Sequence, residues 1–576
     1  MRRRSQAGAA LVAAIVALVA PAAASTHATL SKTSPSASVT LARPPAQVSL
    51  TYSEPIEARF GIVSVTDATG KQVTAGSPNG APGDPATLVT RLRPIPSGWY
   101  LVYWRVVSAD GHPVRGAFTF AVGPNAGPAP QFAIPSLTET ATTTRLLIAR
   151  WIVFLSVMIS IGIFVLRAVI ARPLLWRLRG SSLRRLEVTL GLAVAVALVA
   201  IPVYTVLATA QFALRSAFDL GAIFPLLRGS AFGRAYTDLE LVFGLFALAA
   251  GVTLLVDRPE RERRSLAELL SVTGALLAAA ACVALPGIAG HAGQTSPRGL
   301  SLPADALHVA AGSVWVGGLV GLLVLWRSLG ALLRVPALSI VIPRFSRVAM
   351  SSVILLIASG VVRAAEHLPT LASLWQTSYG KTLLVKIGLL LAAMMLAAGN
   401  QARNKPRLEA AATQPTRAAG AAILLRRLVA GEVVLVFAAV FAAGVLSSIA
   451  PPSKALSKIG SVSAHVGPGP VARVVENGPY KLEFRVEPNR AALPNDFGVR
   501  ITRGGKPVTG AEVVTRFDML DMTMGELAYK LREVRPGTYS RSAPALVMVG
   551  HWGLRFEIAP RGDRPFEVQL LDRAGG

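Results

Sequence analysis

Residues 146–166 read LLIARWIVFLSVMISIGIFVL, an apolar run interrupted by one charge, Arg150. A helix of about 20 apolar residues is what crosses the ~30 Å hydrocarbon core of a bilayer. Runs of the same kind recur at 188–210, 237–256, 267–289, 304–326, 348–365, 382–399 and 428–450. The reading is therefore eight membrane spans within residues 144–452. Composition agrees: 52% of the 576 residues are hydrophobic and 15% charged, which excludes an ordinary soluble or disordered chain.

The formal net charge is +27, a value that in a soluble protein would point to nucleic acid. Its placement decides otherwise. The loops at 167–187, 257–266, 327–347 and 400–427 hold six, four, four and six Lys or Arg residues, whereas those at 211–236, 290–303 and 366–381 hold five, with Arg363 at a helix end. By the positive-inside rule the first set is cytoplasmic, and both flanking segments are extracytoplasmic. This removes nucleic acid as a partner. It leaves the lipid bilayer of an inner or plasma membrane.

Residues 1–26 have a secretory signal pattern: Arg2, Arg3 and Arg4, an apolar stretch from Ala9 to Val19, then Pro21-Ala22-Ala23-Ala24-Ser25-Thr26. Cleavage after Ala24 and cleavage after Thr26 are both open, and the second exposes His27 as the first residue. Residues 27–125 alternate apolar and polar positions, as in Val48-Ser49-Leu50-Thr51-Tyr52 and Trp99 to Val107, which predicts a small β-sandwich. Residues 126–143 read as a linker. Residues 453–576 repeat the β style, with Tyr480 to Val486 and the turn Arg503-Gly504-Gly505-Lys506-Pro507, and predict a second sandwich. The fold class is thus a mixed multidomain chain: an N-terminal β-sandwich, an eight-helix transmembrane bundle and a C-terminal β-sandwich.

The single cysteine, Cys282, permits neither an internal disulfide nor a thiolate metal site, so metal chemistry must use His, Met, Asp or Glu. If cleavage exposes His27, its amine and imidazole can chelate one ion from two sides. Asp110 and His112, in the turn Ser108-Ala109-Asp110-Gly111-His112-Pro113, would complete a tetragonal set suited to Cu(II). Residues 28–125 contain no Met, which disfavours a Cu(I) site there. The competing reading is a structural turn.

Those residues resemble the CopC copper-binding family, through His27-Ala28-Thr29-Leu30, Leu50-Thr51-Tyr52-Ser53-Glu54-Pro55, Gly98-Trp99-Tyr100 and the turn bearing Asp110 and His112. The resemblance implies a periplasmic β-sandwich with His27, Asp110 and His112 as Cu(II) ligands and Glu54 supporting them. Residues 140–452 resemble the CopD family. The matching pieces are Asp305-Ala306-Leu307-His308 with Trp315-Val316-Gly317-Gly318, Arg344-Phe345-Ser346-Arg347, Thr377 to Lys386, and Arg426-Arg427 with Glu432. This implies copper transport across the inner membrane, generally as import.

His308 falls near the outer end of the fifth span, with His291 and His367 just outside the fourth and sixth, so the three suit a metal entry site; solvated loop histidines are the alternative. Lys386 and Glu432 are ionisable residues within spans, read as structural, with a mutual salt bridge or a snorkelling Lys386 as the means of accommodation. In the C-terminal module Met522, Met524, Met548 and His551 could form a thioether and imidazole site for Cu(I), or the methionines could be core. The stretch Asp518 to Trp552 resembles the YtkA-like or FixH-like β domains.

The expected protein is a copper carrier contributing to homeostasis or resistance, without enzymatic turnover, served by periplasmic copper chaperones. A copper-dependent oxidative enzyme using the N-terminal site and a haem-based membrane electron carrier are the alternatives. The second would need histidines on facing helices.

Overall fold

The computed structural model describes residues 30–37, 39–107, 113–123, 143–258, 261–289, 298–449, 451–452, 456–457, 462–491, 493–520, 527–547 and 550–575. The chain divides into two compact units, one helical and one holding both β modules.

The first β module is two four-stranded sheets. One has the order β1 (Leu30–Ser34), β3 (Gln47–Tyr52), β6 (Asp84–Leu92), β5 (Thr74–Ala81); the other runs β2 (Thr40–Leu41), β8 (Pro113–Val122), β7 (Gly98–Val107), β4 (Ile62–Asp67). Successive side chains on a strand face opposite ways. Alternate residues of β3 (Val48, Leu50, Tyr52), β7 (Tyr100, Val102, Trp104, Val106) and β8 (Phe118, Phe120, Val122) therefore fill one core. This is the sandwich that the alternation predicts.

The helical unit comprises α1 (Thr144–Arg177), α2 (Arg184–Ala213), a short α3 (Leu220–Gly229), α4 (Ala231–Val256), α5 (Leu266–Ala289), α6 (Arg298–Ser328), α7 (Ala331–His367), α8 (Ser378–Glu409) and α9 (Pro415–Leu446). Among the described residues, eight of these are long and apolar enough to cross a membrane. Several are longer than the hydropathy runs. Much of 327–347 and 400–427, expected as loop, is helix, because Arg and Lys end an apolar run but are good helix formers. Pro336 and Pro343 are carried inside α7. Helix starts have side-chain caps where a hydroxyl precedes them: Thr377 Oγ1 accepts from Gly380 N at 3.0 Å and Ser230 Oγ from Gly233 N at 3.0 Å.

Two of the expected loop arginines are also buried. Arg167 and Arg172 lie on α1, which runs through a π-helical turn at Leu166–Ala171, and both donate to Asp257. Arg167 also binds Glu187 at 2.7 Å. Their charge is matched inside the protein rather than by water. The glycines of the Trp315-Val316-Gly317-Gly318 segment have steric reasons. A Cβ on Gly317 would meet the Gly162 Cα at 2.6 Å, and one on Gly318 the Phe345 ring at 2.5 Å, so α6 crosses α1 and α7 at close range.

The C-terminal module is a single ten-stranded sheet rather than two separate ones. Its order is β10 (Val471–Asn477), β11 (Tyr480–Glu487), β12 (Asn495–Arg503), β16 (Thr538–Ala543), β15 (Leu527–Arg535), β14 (Glu512–Met519), β17 (Gly550–Ala559), β18 (Phe566–Ala574), β9 (Val462–Val466), with β13 (Lys506–Pro507) on β12. The sheet folds back so that both halves share one core: Phe484 of β11 lies 4.6 Å from Phe556 of β17, and Phe497 of β12 lies 4.6 Å from Phe517 of β14.

Candidate functional site

In the first module, His27, Asp110 and His112 lie outside the described residues, but the strands that bound them do not. β1 starts at Leu30, which pairs with Tyr52 at the end of β3. Five residues on, Glu57 N donates to the carbonyl of Val107, the last residue of β7, at 2.8 Å. Across the hairpin Val107 pairs with Pro113, the first residue of β8. The start of β1, the segment after β3 carrying Glu54, the last residue of β7 and the first residue of β8 are thus at one end of the sandwich. Residues far apart in sequence are delivered there by topology. Glu54 is half-buried and takes part in polar contacts. Behind this end, Tyr52 and Trp104 pack edge-on at 5.5 Å, and burial pushes the Tyr52 hydroxyl well above its ordinary value.

The helical unit contains a polar cluster on α6 and α7. Asp305 and His308 are three residues apart on α6 and so share a face. His308 Nδ1 is 3.1 Å from Ser359 Oγ of α7. Ser359 spends its hydroxyl hydrogen on the Leu355 carbonyl at 2.6 Å, so it accepts from the imidazole. That assigns the hydrogen to Nδ1 and leaves Nε2 with the lone pair a metal needs. One turn beyond Ser359, the Arg363 guanidinium sits 3.5 Å from Asp305 and 3.9 Å from Glu366, and Ser301 donates to Glu366. Lys386 of α8 and Arg363 are the cations within electrostatic reach of Asp305 and His308.

His367, expected just outside the sixth span, is instead within it. It is the last residue of α7, is buried, and packs edge-on against Tyr379 at 6.2 Å. His291 lies outside the described residues. The mutual bridge between Lys386 and Glu432 does not occur: Lys386 belongs to the Asp305 cluster, and Glu432 accepts from Asn400 Nδ2 at 2.7 Å. From sequence Arg363 counts only as a charge at a helix end and Ser359 and Glu366 draw no notice, although the 3–4 residue spacing of these three marks one face of a helix.

In the C-terminal module Met522, Met524 and Met548 lie outside the described residues. His551 is exposed at the start of β17, opposite Arg573, while Met519 is core, opposite Trp552. Among the described residues no three His, Cys, Asp or Glu side chains gather as a metal site.

Asp572 of β18 is buried, and that burial pushes its carboxyl up to about 6 despite the hydrogen bond that Asn489 Nδ2 donates at 2.9 Å. Unfolded aspartate titrates near pH ~3.9. The neutral form is therefore favoured by folding: its contribution is full below about pH 4 and is lost as pH rises through about 6, roughly 3 kcal/mol in all. Asp572→Asn should abolish that slope. The measurement is hydrogen exchange of β17 and β18 in the intact protein, corrected for intrinsic rates. Wild type should lose protection as pH rises from about 4 through about 6, and the variant should not.

Comparison with known proteins identifies three domains in order: a CopC domain at residues 30–123, Copper resistance protein D at 339–446, and a YtkA-like domain at 475–557. The chain is 26% identical over 549 residues to the copper transport protein CutJ of Bacillus subtilis strain 168, an alignment covering 92% of each. It is 36% identical over 103 residues to Copper resistance protein C of Escherichia coli, covering 17% of this chain and 81% of that one. The crystal structure of CopC from Methylosinus trichosporium OB3b aligns with 19% of this chain and 100% of its own at 31% identity, with a TM-score of 0.16.

Proposed function

Because the chain belongs to the copper transport and resistance family that joins a CopC domain, a CopD membrane domain and a YtkA-like domain, we propose that it captures copper at the outer face of the inner or plasma membrane and carries it inward. Copper is cargo in this reading. His308 carries the proposal: an imidazole within an apolar helix, its Nδ1 hydrogen held by Ser359, presents Nε2 as a nitrogen ligand beside a charged cluster.

Capture falls to the N-terminal module, where His27, Asp110 and His112 bind Cu(II) and Glu54 supports them. The ion then passes to the helical unit at His308, with His291 and His367 flanking the entry. Both β modules lie on the extracytoplasmic side, the arginine-rich helix ends on the cytoplasmic side. In the C-terminal module Met522, Met524, Met548 and His551 would take copper as Cu(I). Periplasmic copper chaperones are the natural donors.

Titrating the mature full-length protein with Cu(II) under electron paramagnetic resonance tests the capture step. One tight tetragonal signal is expected, weakened by about a hundredfold or more in affinity on His112→Ala. A mature terminus at Ser25 with only weak binding would reduce the first module to a docking domain.

A further inference from the structure

At the opposite end of α8 from Tyr379 and Lys386 there is a second buried polar group that the copper pathway does not use. Glu432 of α9 is only 2% exposed, Asn400 8% and Asn404 0%. Asn404 Nδ2 donates to Asn400 Oδ1 at 2.8 Å, and Asn400 Nδ2 donates in turn to Glu432 Oε1 at 2.7 Å. The two asparagines are brought onto this face by a π-helical turn, Asn400–Asn404, a local widening that is rare in helices and is met mostly at functional positions. Fourteen residues separate Lys386 from Asn400, about 21 Å along a helix. The cluster is therefore remote from His308 and its neighbours.

A carboxylate at such a site needs a cation or a proton. No cation is paired with it among the described residues. Arg167 of α1 is committed to Glu187 and Asp257, and Arg334 of α7 and Arg426 of α9 lie over the Trp326 ring. Arg327 of α6, Arg344 and Arg347 of α7, Arg403, Lys405 and Arg407 of α8, and Arg427 of α9 make no ion pair with Glu432, and Glu409 of α8 is itself an acid. The donor set also argues against a bound metal ion. Hard cations take roughly six or more oxygens, whereas this cluster offers one carboxyl group and the Asn404 Oδ1, which has no hydrogen-bond donor. A soft ion such as Cu(I) would find no sulfur or imidazole here.

We infer that Glu432 is a proton-binding site of this protein, taking one proton onto its carboxylate to form the neutral acid and releasing it during the transport cycle. The coupling to transport rests on the copper-carrier reading above; the proton site itself does not. Infrared difference spectra of the full-length protein in lipid, recorded with pH, should contain the carbonyl stretch of a carboxylic acid that titrates. Glu432→Gln should remove it and Glu432→Asp should shift it. An unchanged acid band in Glu432→Gln, or no shift in Glu432→Asp, overturns the site. Where Glu432→Gln fails to fold, Glu432→Asp decides alone.

The coupling is read from copper flux into vesicles under an imposed pH gradient. Wild-type flux should vary by up to about tenfold per pH unit on one limb, and that dependence should vanish in Glu432→Gln. A titrating Glu432 band with flux indifferent to the gradient overturns the coupling. Absence of any copper flux in wild type defeats the carrier reading instead, and the infrared spectra still decide whether Glu432 binds a proton.

Discussion

Replacing His308 by alanine should bring copper accumulation to background while leaving the amount of protein in the membrane unchanged. His308 is half-buried on α6, and its hydrogen bond to Ser359 is a modest one that a membrane helix can lose for about 1 kcal/mol or less. Stability is therefore not the quantity at risk. What disappears is the lone pair at Nε2, and its described polar neighbours on α6 and α7 are already engaged, Asp305 by Arg363 and Ser359 by Leu355. Ser359→Ala keeps the imidazole but frees its ring to rotate and to change tautomer. Copper affinity should then fall about tenfold to a hundredfold, the range for groups that orient a metal-binding histidine. Cellular copper measured by mass spectrometry, beside a membrane immunoblot, reads both variants. Normal accumulation in His308→Ala would remove this residue from the path.

The largest expected loss of stability belongs to Asp257→Ala. Asp257 caps the end of α4 and receives Arg167 and, at 2.9 Å, Arg172, both from the π-helical region of α1. Its side chain is 3% exposed, and those of the two arginines are 4% and 7%. Glu187 remains for Arg167 and the more distant Glu268, at 3.8 Å, for Arg172, so the deletion leaves two guanidinium groups sharing too little negative charge in a desolvated site. Breaking a buried pair by removing one partner costs about 3–5 kcal/mol. Asp257→Asn, which keeps the shape and loses the charge, should show most of the same loss. Thermal unfolding of the detergent-purified protein by size-exclusion chromatography is the measurement. A wild-type transition in both variants would mean that the network is solvated and dispensable.

Some of this was written in the sequence in a form that one dimension can hold. Hydropathy over about 20 residues is a local sum, and it located all eight spans; the alternation in Val48 to Tyr52 is a local period, and it located the sandwich strands and their buried face. The CopD-like pieces from Arg344 to Glu432 were legible as motifs, and they fall within the residues that match Copper resistance protein D. Helix limits were not, because hydropathy stops at a charge whereas backbone hydrogen bonding does not, so α7 and α8 run on through segments rich in Arg, Lys and Pro.

Which distant residues share a charge or a hydrogen bond was settled in three dimensions alone. Lys386 and Glu432 look like partners in sequence, yet Lys386 belongs with the Asp305 cluster and Glu432 with Asn400. His367 reads as a loop residue and is packed against Tyr379. Arg167 and Arg172 count as two surface charges until Asp257, 90 and 85 positions away, is found between them. Burial of a charge sets a demand for a partner that the sequence announces, but the partner's identity depends on helix rotation and contact. Those are fixed by packing across the whole bundle, through crossings such as Gly162 on Gly317, and not by any local stretch of the chain.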